Sequence, residues 1–249
     1  MLDRIADALI AQRAGVALTG AGISVPSGIP DFRSEGGLWE RYDIEEYGTL
    51  GAFMSHPEKV WELVVELEQT VGAAAPNPAH LALAKLERLG VLFGVITQNV
   101  DGLHQEAGSA CVVEFHGNCR RLVCTSCAVV FGPDRRAGLG TPPQCDGCGR
   151  ILKPDMIFFG ETISNATLAS AMELTRSCDV MLVVGTSATV APAAMLPNLA
   201  SAGGALLIEV NTTPTELSEA CDISILGDAA DFLPALADRV EERLGAVTG

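Results

Sequence analysis

Five short apolar runs alternate with amphipathic stretches along the chain, and this alternation limits the fold more than any other feature. The runs are rich in valine, leucine and isoleucine and cover residues 15–19, 91–97, 112–115, 180–184 and 205–210. Such runs are typical of parallel strands that are buried on both faces. Between them, apolar residues recur at three- and four-residue spacing in 79–89, 165–177 and 229–244, which predicts helices. We therefore predict an α/β fold with a doubly wound parallel sheet of the Rossmann type.

Polar segments, most of which contain glycine, follow several of the predicted strands. They cover residues 19–22, 97–102, 185–187 and 211–212. In an open α/β sheet, ligands bind beyond the carboxyl ends of the strands. We expect these four segments to converge on one crevice that forms the functional site.

Two segments interrupt the alternation. Residues 34–75 contain aromatic side chains and a helical pattern, so we interpret them as a helical insertion. Residues 119–154 are rich in cysteine, glycine and proline and have too few apolar residues to form their own core. We predict that residues 1–33, 76–118 and 155–249 form a Rossmann-type domain, and that the helical insertion and the cysteine-rich module together form a small domain.

Four cysteines in the second segment have the spacing of a zinc site. Cys124 and Cys127 form one C-x2-C pair, Cys145 and Cys148 form another, and seventeen residues separate the pairs. Four protein ligands leave a zinc ion no open position for water or substrate, so we expect one structural zinc ion. A redox role is a weaker alternative, because thioredoxin-like sites use a single pair. Four unrelated buried cysteines are the remaining alternative.

Charge and the first residues of the chain restrict the compartment and the partners. The net charge of −15 disfavours non-specific binding of nucleic acid, because phosphates would be repelled. Residues 1–15 contain no unbroken apolar stretch typical of a signal peptide or membrane span, which predicts a cytoplasmic protein without a membrane partner. Since cytosolic thiols stay reduced, the eight cysteines are not expected to form a disulfide framework.

The turn Gly20-Ala21-Gly22 follows the first predicted strand. Glycines at this position let the backbone approach a pyrophosphate at the start of the next helix. A G-x-G turn alone is equally compatible with tight packing. The third glycine of the dehydrogenase G-x-G-x-x-G pattern is absent at the expected spacing, so the turn departs from that class.

The residues that follow this turn carry a resemblance to a known family. The segment 20–33, GAGISVPSGIPDFR, resembles the sirtuin signature almost residue for residue, and 97–104, TQNVDGLH, is similar to a second sirtuin motif. His116-Gly117 resembles the catalytic pair of the family, and 158–161, 185–187 and Asn211 give further matches. The resemblance implies an NAD-dependent protein lysine deacylase, which transfers the acyl group from an acyl-lysine protein to ADP-ribose and releases nicotinamide.

The resemblance also implies roles for individual residues. It makes His116 the general base and gives Asn99 and Asp101 catalytic contacts to the nicotinamide ribose, water or the carboxamide. The residues expected to bind NAD are Gly20, Ala21, Gly22, Ile23, Pro30, Asp31, Phe32, Arg33, Gln98, Asn99, Val100, Asp101, His116, Gly185, Thr186, Ser187 and Asn211. Those expected to contact the substrate are Phe32, Val64, Leu67, Ile157, Phe158, Phe159, Gly160, Glu161 and Val190. Turn formation at strand ends is the alternative for Asn99 and Asp101, and helix capping for Thr186, Ser187 and Asn211.

The acyl specificity depends on two positions after Trp61. Residues 37–42 and 57–62 are most similar to the sirtuin branch that includes desuccinylases and demalonylases, whose members place a tyrosine and an arginine in the acyl pocket. The matching positions here are Val64 and Leu67, neither of which binds a carboxylate. We therefore expect poor activity on succinyl- and malonyl-lysine. A protein ADP-ribosyltransferase, an NAD sensor and a zinc-ribbon nucleic-acid-binding module remain alternative functions.

Overall fold

A computed structural model describes residues 1–31, 37–132 and 140–247. The strands are β1 (Gly15–Thr19), β2 (Leu92–Thr97), β3 (Val112–Glu114), β4 (Gly117–Cys124), β5 (Val130–Phe131), β6 (Leu152–Met156), β7 (Val180–Val184), β8 (Leu206–Asn211) and β9 (Ile223–Leu226). The α-helices are α1 (Leu2–Gln12), α2 (Leu38–Arg41), α3 (Ile44–Tyr47), α4 (Leu50–Ser55), α5 (Pro57–Ala73), α6 (Pro78–Arg88), α7 (Leu103–Glu106), α8 (Asn165–Ser177), α9 (Met195–Ala202) and α10 (Ala229–Val247). A 3-10 helix covers Ala21–Ser27. In the part of the chain that the structure describes, no helix is long and apolar enough to cross a membrane.

The main sheet is parallel and doubly wound, as predicted. Its strand order is β3-β2-β1-β7-β8-β9, and every neighbouring pair runs parallel. The chain extends the sheet from β1 towards β3 and then returns to extend it from β7 towards β9. The order therefore reverses between β1 and β7, and a crevice forms there at the carboxyl ends of the strands. Strand β9 was not predicted, because its residues alternate between buried and exposed and form no continuous apolar run.

Helices cover both faces of this sheet. Successive residues of a strand point to opposite faces, so Ala17 packs towards α1, α6 and α10, whereas Val16 and Leu18 pack towards α8 and α9. Strand β1 is buried along its whole length. The continuous apolar runs in the sequence follow from this burial on two sides.

A second, antiparallel sheet has the strand order β5-β4-β6. Helices α4 and α5 pack against it through an apolar cluster that includes Phe53, Trp61 and Leu152. The indole nitrogen of Trp61 donates a hydrogen bond of 3.0 Å to the Leu152 carbonyl, which ties α5 to β6. The helical segment and the cysteine-rich segment therefore share one core.

Candidate active site

A cavity of about 990 Å³ opens where the strand order reverses. Segments that follow β1, β2, β7 and β8 line it, as expected for a ligand site in a doubly wound sheet. Predicted NAD-binding residues on its wall are Gly20, Ala21, Gly22, Asp31, Gln98, Asn99, Val100, His116, Gly185, Thr186, Ser187 and Asn211. Predicted substrate residues on its wall are Leu67, Ile157, Phe158, Phe159, Gly160, Glu161 and Val190.

The remaining predicted residues lie elsewhere. Ile23 and Val64 are fully buried in apolar clusters and do not line the cavity. Pro30 and Asp101 line a smaller neighbouring cavity of about 70 Å³, which shares Asn99 with the large one. Phe32 and Arg33, both predicted to bind NAD, lie outside the described residues.

Other wall residues were not among the predicted site residues. The helical insertion contributes Trp39 and Tyr47 to the wall, and the segment after β8 contributes residues 212–216. Thr189 and Asp228 also line the wall. Thr212 belongs to the polar segment 211–212 that was expected at the crevice, whereas no sequence signal indicated the other residues of this group.

Two glycine turns meet at the base of the cavity. The Gly22 amide donates a 2.8 Å hydrogen bond to the Gly185 carbonyl, which joins the turn after β1 to the turn after β7. Gly185 has a φ of +59°, and a Cβ there would lie 2.4 Å from the Ile23 nitrogen. Only glycine fits this contact, which explains the glycine at position 185, directly after β7.

His116 lies in the connection between β3 and β4 and faces the cavity. Its Nδ1 is 3.0 Å from the Gln98 carbonyl oxygen. A carbonyl only accepts, so Nδ1 carries the proton and the neutral ring presents Nε2 as its acceptor. Burial lowers the pKa of His116, an effect that the bond to Gln98 partly opposes. The imidazole is therefore neutral at neutral pH and able to take up a proton.

The side chain of Asn99 has a bonded nitrogen and an unpaired oxygen, Oδ1, among the described residues. Its amide nitrogen donates to the Gly20 carbonyl at 3.1 Å and to the Ser24 hydroxyl at 3.0 Å. Its Oδ1 is buried and has no hydrogen-bond partner among the described residues. Because an unpaired buried acceptor is costly, this position suits a ligand hydroxyl or a water molecule. The residues present thus fit the ribose of a dinucleotide.

Asp101 belongs to a buried polar network behind Asn99. Its carboxylate accepts bonds from the Ser24 hydroxyl at 2.8 Å and from the Leu103 amide at 2.9 Å. His80 Nε2 lies 3.4 Å from the same Ser24 hydroxyl. These bonds fix the Asp101 carboxylate at the smaller cavity.

The two histidines behind this network are neutral. Burial lowers the pKa of His80 to about 4, although the Asp101 carboxylate raises it. Burial also lowers the pKa of His104 to about 3, and the neighbouring His80 contributes to the shift. The rings lie 4.9 Å apart, and His104 bonds the Thr19 hydroxyl at 2.9 Å. We assign both histidines to the support of the site.

The turn after β7 and the end of β8 are linked by side-chain hydrogen bonds. The Thr186 hydroxyl accepts a bond of 2.8 Å from the Gln98 amide. The Asn211 amide donates to the Thr186 carbonyl at 3.2 Å. Neither Thr186 nor Ser187 caps α9, whose N-cap is Ala194. These contacts hold the polar wall of the cavity together.

The cysteine quartet is arranged for a metal ion. The sulfur atoms of Cys124, Cys127, Cys145 and Cys148 all lie within 4.8 Å of one another. Tetrahedral zinc with Zn–S bonds of about 2.3 Å requires sulfur separations of about 3.8 Å. Cys124 and Cys148 are 3.4 Å apart, and Cys127 and Cys145 are 3.6 Å apart. The quartet therefore fits one zinc ion with no open coordination position.

Comparisons with known proteins agree with this geometry. The model of the Sir2 family matches residues 20–192. NAD-dependent protein deacylase 2 of Pyrobaculum aerophilum is 45% identical over 240 residues, which cover 96% of this chain and 96% of that protein. A solved complex of a Sir2 homolog with NAD has a TM-score of 0.92 and 42% identity, and the match covers 97% of this chain and 94% of the other.

A solved complex of Sir2 with a p53 peptide and NAD+ has a TM-score of 0.86 and 36% identity, with 99% of each chain covered. The family model spans most of the chain, and the relative matches it almost from end to end. The motifs that resemble sirtuins in the sequence also meet around a single cavity in the structure. This chain belongs to the Sir2 family.

Proposed function

We propose that the chain is an NAD-dependent protein lysine deacylase that transfers the acyl group of an acyl-lysine protein to ADP-ribose and releases nicotinamide. The relatives that match it over nearly their full length are named NAD-dependent protein deacylases or deacetylases. The observation that carries the proposal is His116, whose Nδ1 is committed to the Gln98 carbonyl and whose Nε2 is left as a base on the cavity wall.

The reaction assigns separate tasks to His116 and Asn99 on the wall of the large cavity and to Asp101 at the smaller cavity. NAD supplies the ribose carbon that receives the acyl oxygen and from which nicotinamide departs. His116 accepts the proton of a ribose hydroxyl as that oxygen attacks the acyl carbon, which requires a neutral imidazole. Asn99 Oδ1 accepts a hydrogen bond from a ribose hydroxyl or a water molecule, and Asp101 holds the carboxamide. Orientation of the acyl oxygen contributes much of the rate, because an amide oxygen is a poor nucleophile.

The acyl group that the site accepts is apolar. Leu67 lines the cavity, and no lysine or arginine appears on that wall within residues 1–31, 37–132 and 140–247. Arg41 lines the smaller cavity but is already paired with Glu66. A succinyl carboxylate would lose hydration without gaining a charged partner, so we expect acetyl-lysine to be preferred. Comparable kcat/KM values on acetyl- and succinyl-lysine versions of one peptide would contradict this expectation.

The substrate is an acyl-lysine protein, and we expect neither nucleic acid nor membrane as a partner. A cytoplasmic location is part of the same proposal. Incubation with NAD and an acetyl-lysine peptide should yield O-acetyl-ADP-ribose, nicotinamide and the free lysine peptide. ADP-ribose attached to a protein, detected by mass spectrometry, would favour an ADP-ribosyltransferase instead. Salt-dependent retention on nucleic acid would favour the zinc-ribbon alternative.

The role of His116 is tested by His116→Ala. This variant should lose acyl transfer while it keeps its melting temperature and NAD affinity, because only the base is removed. His56→Ala is the matched control, since His56 is exposed on the helical insertion and lines neither cavity. Full acyl transfer by the His116→Ala variant would remove His116 from this role.

A further inference from the structure

Lys153 is a buried cation that the mechanism does not use. It is the second residue of β6, and its side chain is 4% exposed. An ammonium group has three N–H donors and no acceptor. These donors face the Met156 carbonyl at 2.6 Å, the Pro154 carbonyl at 3.0 Å and the Glu161 carboxylate at 3.1 Å. The ammonium is therefore fully paired inside the protein.

The partners of Lys153 bracket residues 156–161, a segment that contains the predicted substrate residues 157–161. Met156 opens the segment and Glu161 closes it, and residues 156–161 all line the large cavity. The same Glu161 oxygen that pairs with Lys153 accepts a 3.0 Å bond from the Phe158 amide. The Lys153 ammonium also lies 5.1 Å from the centre of the Phe158 ring. One cation thus holds the start, the middle and the end of the segment.

Two backbone hydrogen bonds join the segment to His116 and to the helical insertion. The Ile157 amide donates to the His116 carbonyl at 2.9 Å. The Phe159 amide donates to the Gly48 carbonyl at 2.9 Å. The backbone of the segment is therefore also anchored at His116 and at the helical insertion.

We propose that Lys153 is a positioning residue that fixes the 156–161 segment for the acyl-lysine peptide, an inference that rests on the proposed deacylase function. A purely structural position at this depth would favour an apolar side chain, because burial of an ion pair costs hydration that packing does not lose. The Lys153 ammonium instead bonds two carbonyls and a carboxylate that an apolar side chain would leave unpaired, which explains a cation at this position. Lys153 also pairs in register with Val123, the neighbour of Cys124, so the metal-bound sheet supports the same segment.

Kinetics of Lys153→Met and Lys153→Arg test the proposal. Methionine lacks only the terminal nitrogen position and removes the charge, so the KM for an acetyl-lysine peptide should rise about tenfold while kcat and NAD affinity stay within about twofold. Arginine restores a cation and should recover most of the peptide KM. Lys85→Met is the control for loss of a lysine, because Lys85 forms surface ion pairs between α6 and α10. Zinc content should be unchanged in all variants.

A second measurement does not depend on activity. Amide hydrogen exchange in the peptide that covers residues 156–161 should be faster in Lys153→Met than in the wild type and Lys85→Met. If Lys153→Met does not fold, Glu161→Gln removes the ion pair while it keeps an acceptor for Phe158, and should show the same increase in hydrogen exchange.

The outcomes separate the two proposals. Unchanged peptide KM and unchanged exchange in a folded variant would overturn the role of Lys153. Loss of zinc or an equal fall of kcat for every peptide would also overturn it, because it would indicate a general structural role. If the wild type transfers no acyl group, the deacylase proposal fails, and hydrogen exchange still decides whether Lys153 holds the segment.

Discussion

Replacement of Gly117 by alanine tests whether the turn after His116 sets the position of the imidazole. Gly117 has a φ of +79°, and a Cβ there would lie 2.1 Å from the Asp155 carbonyl oxygen. The left-handed conformation costs an alanine about 1 kcal/mol relative to glycine. Carbon and oxygen require a separation of more than about 3 Å, so β4 or β6 must move by about 1 Å. We expect a total loss of about 2–4 kcal/mol in the free energy of unfolding, within the usual range for strained core substitutions.

The same movement should reduce the activity of the folded enzyme, in addition to the loss of stability. His116 directly precedes Gly117, and its carbonyl accepts the Ile157 amide, so both the base and the substrate segment are displaced. Misplacement of a catalytic group by about 1 Å costs about a hundredfold in rate. Urea unfolding measures the stability, and formation of O-acetyl-ADP-ribose below the unfolding transition measures the activity.

Gly90→Ala is the matched control for the backbone conformation. Gly90 has a φ of +70°, and a Cβ there would meet no atom within 4 Å. This variant should lose only about 1 kcal/mol and keep its activity. A Gly117→Ala enzyme with a rate within about threefold of the wild type would refute the reasoning, because the imidazole would then tolerate a displaced turn.

Three further predictions follow from buried groups. His80 and His104 take up protons near the ordinary histidine pKa of 6.5 when unfolded but only at about 4 and about 3 when folded. The stability that these two neutral histidines contribute should therefore be complete above about pH 6.5. The free energy of unfolding should fall by roughly 1–3 kcal/mol per pH unit on acidification towards pH 4. Equal urea midpoints at pH 7 and about pH 5 would contradict this expectation. Cys124→Ala should release zinc and destabilise the small sheet, whereas Cys178→Ala, a buried cysteine outside the quartet, should keep the metal; zinc analysis decides. Glu209→Leu should lower the free energy of unfolding by about 3 kcal/mol in urea, because the hydroxyl groups of Thr215, Ser218 and Ser224 lose their acceptor. Since Thr215 belongs to the 212–216 part of the cavity wall, the variant should also raise the KM for NAD. An unchanged KM would count against a contribution of Glu209 to this wall.

Sequence patterns predicted the parts of the molecule that depend on local periodicity. The predicted apolar runs lie at five of the six strands of the main sheet, and the helices at Asn165–Ser177 and Ala229–Val247 match their predicted positions closely. The spacing of the cysteine pairs predicted the sulfur cluster, because a C-x2-C turn directs both thiolates to one point. Strand β9 was missed because a half-exposed edge strand carries only a short alternating pattern.

Residues whose position depends on tertiary packing were harder to predict. Val64 and Leu67 lie one helical turn apart on α5, yet Val64 faces the apolar core and Leu67 faces the cavity. Periodicity identifies an apolar face of a helix but not which part of that face covers a ligand. Trp39 and Tyr47 reach the wall only because the helical insertion folds over the sheet. No local pattern in the sequence encodes that contact.

The zinc site illustrates how a structural element affects chemistry at a distance. No cysteine of the quartet lines the cavity, so the metal has no direct contact with the reacting groups. Cys124 ends β4, and β4 pairs with β6, which carries Lys153. Lys153 in turn bonds both ends of the segment that contacts His116. Loss of zinc should therefore loosen the 156–161 segment before the parallel sheet unfolds, because the two sheets have separate apolar clusters.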